Sequence, residues 1–187
     1  MEQEFINLIK QLLACTNSEE VNQVLSSNQQ LIVPKLLLTM AEAAEYIADN
    51  SNLNSANFLS NLTLQLGEFL GSSQMPPTTR KETANFLLEI GIRWYQISLF
   101  PLALQCWQQT LTIYQEIKDR QGEANSLGNL GNAYNDLGQR EQAIDFHQQS
   151  LEIAREIKYP QGEANSLGNL GNAYNYLGQY EQAIDFY

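Results

Sequence analysis

Asparagine side chains offer the clearest binding chemistry in this sequence. They recur in two nearly identical stretches, residues 121–146 and 161–186, which differ only at positions 136/176 and 140/180. On a helix that turns by 100° per residue, each stretch places a polar set of side chains within an arc of roughly 60°. The sets are Asn125, Asn129, Asn132 and Asp136 in the first stretch, and Asn165, Asn169, Asn172 and Tyr176 in the second. An amide carries donors and an acceptor, so it can pair with both the N–H and the C=O of a peptide backbone.

This polar arc is costly for helix formation. Asn is a mediocre helix former and Gly is worse, so three Asn with Gly128 and Gly131 cost each helix roughly 3 to 4 kcal/mol relative to Ala. Glu or Lys would cost less on a face that only meets solvent, and a broken local rule is expected at a functional surface. Gly128 and Gly168 lie beside the arc, where a missing side chain lets a ligand approach. We therefore predict a peptide-binding face; the alternative is a polar face that duplication merely copied.

A third, weaker copy of the repeat lies upstream, around Gly91, and adds Asn85 and Glu89 to the predicted face. The arc contains Glu89 and Asp136 but no Lys or Arg. Such a neutral-to-acidic surface favours a polar or basic peptide.

The other reactive side chains do not form a catalytic or metal-binding pattern. His147 is the only histidine, and it shares the register of Trp107 and Tyr187, so we expect it to pack against a neighbouring helix. Cys15 and Cys106 are far apart and outside any C-x-x-C spacing. We predict no enzyme activity, no catalytic residue, no metal and no cofactor.

Charge and hydropathy restrict the partners and the compartment. The 187 residues include 21 acidic and 10 basic side chains, which gives a formal charge of −11. Nucleic acids and anionic membranes are therefore unfavoured partners, because binding to them depends on clustered Lys and Arg. The sequence also has no cationic signal segment and no apolar run approaching the roughly 18 residues of a membrane span. These features predict a cytoplasmic protein.

Apolar spacing predicts helices throughout the chain. The first is expected over residues 2–15, a short second over 18–25, a third from Pro34, and a fourth after a turn at 49–56. A Gly, Ser and Pro-rich segment then marks a boundary. We predict a four-helix region over 1–71, a linker at 72–80 and a repeat array over 81–187. The array divides at 81–120, 121–160 and 161–187, and its last repeat is incomplete.

Each 40-residue unit contains two helical patterns joined by a turn. In the middle unit Leu130 and Tyr134 mark the first helix, Gly138 is its stop, and Ala143 and Ala154 mark the second. In the earliest unit Ser98 replaces that glycine and Pro101 opens the second helix. Small residues recur where helices must approach closely: Gly91, Gly131, Gly171, Ala103, Ala143 and Ala183.

These residues resemble the tetratricopeptide repeat family, whose pattern combines large apolar residues, Leu-Gly, aromatics, a turn glycine and alanine. The middle unit matches with Leu127, Leu130, Gly131, Tyr134, Gly138, Ala143, His147 and Ser150. The last unit matches with Leu167, Leu170, Gly171, Tyr174, Gly178, Ala183 and Tyr187. The earliest unit matches more loosely with Leu87, Ile90, Gly91, Trp94, Ser98, Ala103, Trp107 and Thr110.

The resemblance implies an all-α fold, a right-handed superhelical solenoid of antiparallel helix pairs, preceded here by a small helical bundle. It also implies a concave groove that holds an extended peptide. Gln115 and Arg155 replace the family's closing proline, so the second helices are expected to continue through Ile117 and Ile157, as in the 40-to-42-residue repeats of kinesin light chains. Asn129 and Asn169 match the amides of the family's carboxylate clamp, but Asn125 and Asn165 stand where basic residues are needed. A clamp for a terminal carboxylate is therefore not expected.

The leading hypothesis is a non-enzymatic scaffold that binds an extended segment of a partner protein. The first 71 residues resemble the N-terminal part of bacterial multi-repeat proteins that carry a CHAT-type peptidase, which suggests a regulatory arm of a larger enzyme as an alternative. A self-associating structural solenoid is a further alternative, because a repeat that stops early leaves its stacking face open.

Overall fold

The computed structural model describes residues 2–50 and 52–186. Within these residues the chain forms ten α-helices, one 3-10 helix at Gln29–Leu31 and no strand. The α-helices are α1 Glu2–Ala14, α2 Ser18–Ser27, α3 Pro34–Asp49, α4 Leu53–Gly71, α5 Pro77–Gln96, α6 Phe100–Ile117, α7 Arg120–Asp136, α8 Arg140–Glu156, α9 Pro160–Tyr176 and α10 Tyr180–Ile184. They divide into two compact units, residues 1–90 and 91–187, and the boundary falls within α5.

The N-terminal helices of the first unit form where the sequence predicts them. Helix α1 buries an apolar stripe that includes Phe5, Leu8 and Leu12, which lie on one side of the helix. Helix α2 begins with a reciprocal cap: the Asn17 side chain accepts from the Glu20 N–H at 2.9 Å, and the Glu20 carboxylate accepts from the Thr16 N–H at 2.7 Å. None of the α2 side chains is fully buried.

Helices α3 and α4 pack against each other through buried leucines and small residues. Pro34 lies in the first turn of α3, as predicted. The turn predicted at 49–56 is shorter, and that prediction was wrong in its length. Helix α4 already begins at Leu53, because the Asn52 side chain caps it by accepting from the Ser55 N–H at 3.2 Å.

Helix α4 ends at Gly71, at the predicted boundary, and α5 begins at Pro77. The last residues of the segment expected to be a linker are therefore helical. The division of the chain into a bundle, a linker at 72–80 and an array stays a prediction.

The second unit consists of helices joined by short turns, in which each first helix (α7, α9) is followed by a second helix (α8, α10). Gly138 and Gly178 turn the chain within these pairs with φ of 78° and 74°, and Ser98 takes the same left-handed conformation before α6 with φ of 63°. Lys118 and Lys158 turn the chain between pairs with φ of 58° and 54°. The predicted stop at Gly138 and its replacement by Ser98 are thus confirmed.

Close approach explains the glycine at one position of the repeat pattern in the first two helix pairs. A Cβ built on Gly91 would lie 2.4 Å from the Trp107 ring, and a Cβ built on Gly131 would lie 2.5 Å from the His147 ring. Only glycine leaves room for these rings. Two aromatic rings stack in each of the two later pairs: Tyr134 on Phe146, with ring centroids 5.2 Å apart, and Tyr174 on Phe186.

Buried hydroxyl groups join successive pairs at equivalent positions. The Thr110 and Ser126 hydroxyl oxygens lie 2.8 Å apart, and the Ser166 hydroxyl donates to the Ser150 hydroxyl at 3.0 Å. The Ser150 hydroxyl in turn donates to the Ala124 carbonyl at 2.9 Å. Each hydroxyl is therefore satisfied inside the stack, as buried polar groups must be.

The second helices are long, as predicted from the missing proline. Helix α6 reaches Ile117, whereas α8 ends at Glu156 with Ile157 at its cap, one residue before the predicted position. Gln115 and Arg155, which stand in place of the proline, reach the next first helix: the Gln115 amide donates to Glu123 at 3.2 Å, and Arg155 donates to Glu163 at 2.8 Å.

Candidate peptide-binding face

Two helices that differ only at their first and last residues, α7 and α9, carry the asparagine arcs. Helix α7 is capped by the Asp119 side chain, which accepts from the Gly122 N–H at 3.0 Å, whereas α9 begins at Pro160 without a side-chain cap. On the side of each helix that faces away from its asparagines, Leu130 of α7 and Leu170 of α9 are fully buried. Helices α7 and α9 contact each other, so their arcs belong to neighbouring elements of one unit.

The asparagines are more exposed on α9 than on α7. Asn125, Asn129 and Asn132 are half-buried on α7. On α9, Asn169 is half-buried, and Asn165 and Asn172 are exposed. We define the Asn face as these six residues. Every one of them reaches the surface, as the helical arc predicts.

Several amides of the Asn face have no partner within the described residues. Asn125, Asn129, Asn132 and Asn169 make no side-chain hydrogen bond there, whereas the Asn165 carbonyl accepts from Gln161 at 2.9 Å. A half-buried amide without a protein partner has donors and acceptors that only water or a ligand can satisfy.

The last residue of each predicted arc makes a contact between repeats. The Tyr95 hydroxyl donates to the Asp136 carboxylate, and the Arg140 guanidinium lies 4.6 Å from the centroid of the Tyr176 ring. Sequence reasoning placed Asp136 and Tyr176 on the peptide-binding face and missed these partners. The sequence did contain a sign of these contacts, because 136/176 and 140/180 are the only positions at which the two stretches differ.

The Tyr95 hydroxyl that contacts the Asp136 carboxylate is a neutral phenol. Burial, and then the hydrogen bond to Asp136, raise the pKa of Tyr95 to about 12. The hydroxyl therefore stays protonated and serves as a donor near neutral pH. Tyr95 also packs edge-on against Phe100, with ring centroids 5.5 Å apart, which fixes its orientation.

Asn85 and Glu89 are exposed side chains on α5, in the first compact unit. They lie outside the unit that carries the Asn face. Their membership of the predicted peptide-binding face stays a prediction.

The glycines of the two stretches have different surroundings. A Cβ built on Gly128 would make an ordinary 3.7 Å contact with the Ser150 hydroxyl, and one built on Gly168 would meet no atom of the described residues within 4 Å. Packing therefore does not require glycine at either position, in contrast to Gly131. Open space beside Gly168 is consistent with the predicted approach of a ligand.

His147 is a packing residue, as predicted. Its side chain is 1% exposed, and its Nδ1 has no hydrogen-bond partner among the described residues. Burial lowers the pKa of His147 to about 4, so the ring is neutral at physiological pH.

Cys106 is fully buried, and burial raises the pKa of its thiol. Among the described residues, no three His, Cys, Asp or Glu side chains come together as metal ligands would.

The described helices are too short or too polar to cross a bilayer. No curated protein sequence matches the chain.

Solved structures share its fold at low identity. The TPR domain of Arabidopsis FLU is 24% identical with a TM-score of 0.56, and the match covers 60% of this chain and 92% of that domain. Aspartyl phosphate phosphatase F from Bacillus subtilis is 20% identical with a TM-score of 0.62, over 98% of this chain and 47% of that one. The nearly identical TPR-like repeats from Podosopora anserina, assigned to a kinesin light chain, are 16% identical with a TM-score of 0.59, over 98% and 90%.

These similarities confirm the predicted all-α solenoid of antiparallel helix pairs. Tetratricopeptide repeats form scaffolds for protein–protein interaction and are generally non-enzymatic. The tetratricopeptide repeat profile matches residues 95–156 and 137–187, which contain α6 to α10. The chain is therefore a tetratricopeptide repeat protein, with the family's repeats in its C-terminal half.

Proposed function

We propose that the second unit holds an extended segment of a partner protein against the Asn face. The observation that carries this proposal is the set of half-buried amides, Asn125, Asn129, Asn132 and Asn169, that lack hydrogen-bond partners within the described chain. A side chain that costs helix stability and forms no hydrogen bond with any described residue is best explained by a ligand outside the protein.

The chemistry favours backbone recognition. An Asn amide donates to a peptide C=O and accepts from a peptide N–H at the same time, so it binds a main chain regardless of its side chains. Helices in contact lie about 8–10 Å apart, and an extended chain rises about 3.3 Å per residue. Asn129 and Asn169, which occupy the same position on adjacent first helices, would therefore meet one peptide about three residues apart.

The experiment selects peptides from a random library on the full chain and then measures their affinity for variants. The test variant combines Asn129→Ala with Asn169→Ala. The matched control is Asn57→Ala, which replaces an exposed helical Asn of α4 that also makes no side-chain hydrogen bond among the described residues. We expect the double variant to bind about tenfold more weakly, since each lost hydrogen bond is worth about 0.5–1.5 kcal/mol. The control should bind as the native protein does.

Thermal unfolding separates lost binding from lost folding. Ala is a better helix former than Asn by about 0.6 kcal/mol per residue, so the double variant should unfold at the same or a higher temperature. Unchanged peptide affinity in the double variant, with the fold intact, would contradict the proposal.

A further inference from the structure

A groove runs along α4 in the first unit, whereas the Asn face belongs to the second unit. It consists of two cavities of about 440 Å³ and 610 Å³, which share Leu25 on one wall. The first lies between α2 and the middle of α4. The second lies between the segment that follows α2 and the end of α4, where Met75 and Thr79 also line it. Both volumes fall within the range of ligand-binding sites.

The α4 wall of the groove is an apolar stripe. Its members are spaced by three or four residues or are adjacent: Phe58, Leu62, Leu66, Phe69 and Leu70. At 1.5 Å per residue this stripe is about 18 Å long, or about three helical turns. Leu62, Leu66 and Leu70 are buried at the base of the groove, whereas Phe69 is 48% exposed, so the stripe is open at Phe69.

The opposite wall is also apolar and incompletely covered. Val21 and Leu25 of α2, followed by Ile32 and Val33, line the groove. All four are half-buried, and α2 has no fully buried side chain. A groove with two apolar walls, one half-buried and the other exposed at Phe69, is the arrangement that receives the apolar face of an amphipathic helix.

Polar and acidic groups border this apolar path. Asn22, Asn61 and Gln65 line the first cavity and make no side-chain hydrogen bond among the described residues. Of the described residues that line the two cavities, Glu82 is the only charged one. Glu68 is exposed and lies on the same side of α4 as Asn61, seven residues earlier, at 100° per residue. Acidic groups at the border, with no Lys or Arg in the lining, favour a basic partner.

We propose that this groove docks an amphipathic helix of a partner protein, with its apolar face against the α4 stripe and Lys or Arg on the flank that meets Glu68 and Glu82. This partner differs in conformation and in place from the extended segment proposed for the Asn face. A negative result for one proposal therefore leaves the other intact.

The test uses the full chain and three short synthetic helices. The first has Leu at positions i, i+4, i+7 and i+11 and Lys on the flanks. The second has Glu in place of Lys, and the third has the composition of the first with scrambled spacing. Fluorescence anisotropy measures affinity, and NMR of the labelled chain maps the contacted residues. We expect the first helix to bind at least about tenfold more tightly than the others and to shift resonances of residues 58–70 and 21–33.

Two variants of the chain test the groove itself. Phe69→Asp should weaken binding of the Lys-flanked helix by about tenfold or more, because it removes an exposed apolar anchor. The matched control is Tyr46→Asp, which changes an aromatic side chain that is 71% exposed on α3 and outside the groove, and which should leave affinity unchanged. Glu82→Lys should weaken binding of the Lys-flanked helix and strengthen binding of the Glu-flanked one.

Equal binding of the spaced and scrambled helices would overturn the proposal. Equal losses in the Phe69 and Tyr46 variants would do so as well, and so would resonance shifts confined to α7 and α9. The last result would leave the function proposed for the Asn face intact.

Discussion

Helices α7 and α9 share fifteen consecutive residues, 121–135 and 161–175, but they pack on second helices that differ. A Cβ built on Gly122 would lie 2.5 Å from the Tyr114 ring of α6, and one built on Gly162 would lie 2.4 Å from the Tyr159 ring. Tyr114 corresponds to Ala154 in the next repeat, and Tyr159 corresponds to Asp119 in the previous one. Gly122 and Gly162 are equivalent, but the aromatic ring that each one contacts comes from a different position of the repeat. An identical helix does not imply identical neighbours, and the glycine is needed at both junctions for different partners.

The largest expected effect comes from removing these two rings. Tyr114 is 2% exposed, so Tyr114→Ala should lower the free energy of unfolding by about 3–5 kcal/mol. Tyr159 is only half-buried, so Tyr159→Ala should cost about half as much. Urea denaturation of both variants measures the difference. Equal losses would show that the two junctions are energetically equivalent despite their different geometry.

Acidification should act on the α7–α8 pair through His147. The pKa of this buried ring is lowered from 6.5 to about 4, so the unfolded chain binds its proton more readily. The contribution of His147 to stability is complete above about pH 6.5 and decreases as the pH falls through the folded pKa, by about 3 kcal/mol in total. Unfolding measured between pH 7 and pH 4 on the native protein and on His147→Phe should show a steeper loss for the native protein. Parallel pH profiles would contradict this assignment.

Alanine substitution should separate packing glycines from open ones. Gly131→Ala places a Cβ against the His147 ring and should cost about 1–3 kcal/mol. The Cβ of Gly168→Ala meets no atom within 4 Å in the described part of the chain, so this variant should gain about 1 kcal/mol of stability through helix propensity. Thermal unfolding of the two variants, with Gly128→Ala as an intermediate case, tests this. A loss of stability at Gly168 would indicate a structural role that its open surroundings do not suggest.

The smallest effect is expected at the junction ion pair. Arg155 and Glu163 lie 2.8 Å apart and are largely exposed, and the equivalent Gln115 and Glu123 form a neutral–charged hydrogen bond. Arg155→Gln, which places the glutamine of the first junction in the second, should cost less than about 1 kcal/mol. The loss should vanish in high salt, because screening removes the contribution of an exposed pair. Denaturation at low and high ionic strength distinguishes this from a packing defect, which salt would not remove.

The repeat architecture was predictable because its determinants are local. Leucine spacing, the turn at Gly138 and the small residue at Gly131 each specify backbone geometry within one helix pair. The position of the asparagines on the surface followed from the same periodicity. Their partner did not, because an amide binds many ligands equally well.

Contacts between repeats were not predictable in the same way. The partners of Asp136 and Tyr176 lie 41 and 36 residues earlier, and they meet only because the helix pairs stack with a particular offset. The short turn before α4 was missed for a different reason. A polar run rich in Asn and Ser predicts a loop, but Asn52 in this run caps a helix. Asn and Ser are common both in loops and at helix N-caps, so composition alone does not distinguish the two.

The buried hydroxyl pairs bear on how such a chain grows during evolution. Thr110 with Ser126 and Ser150 with Ser166 recur at intervals of 40 residues, so the gain or loss of a whole unit returns each hydroxyl to another hydroxyl. An insertion within a helix that separates the two hydroxyls of a pair would remove their hydrogen bond, which is worth about 0.5–1.5 kcal/mol. The Thr110 and Ser126 hydroxyls would still have the Trp107 and Gly122 carbonyls of their own helices as acceptors. The pairs thus favour a duplication that copies the full repeat over one that copies a fragment of it.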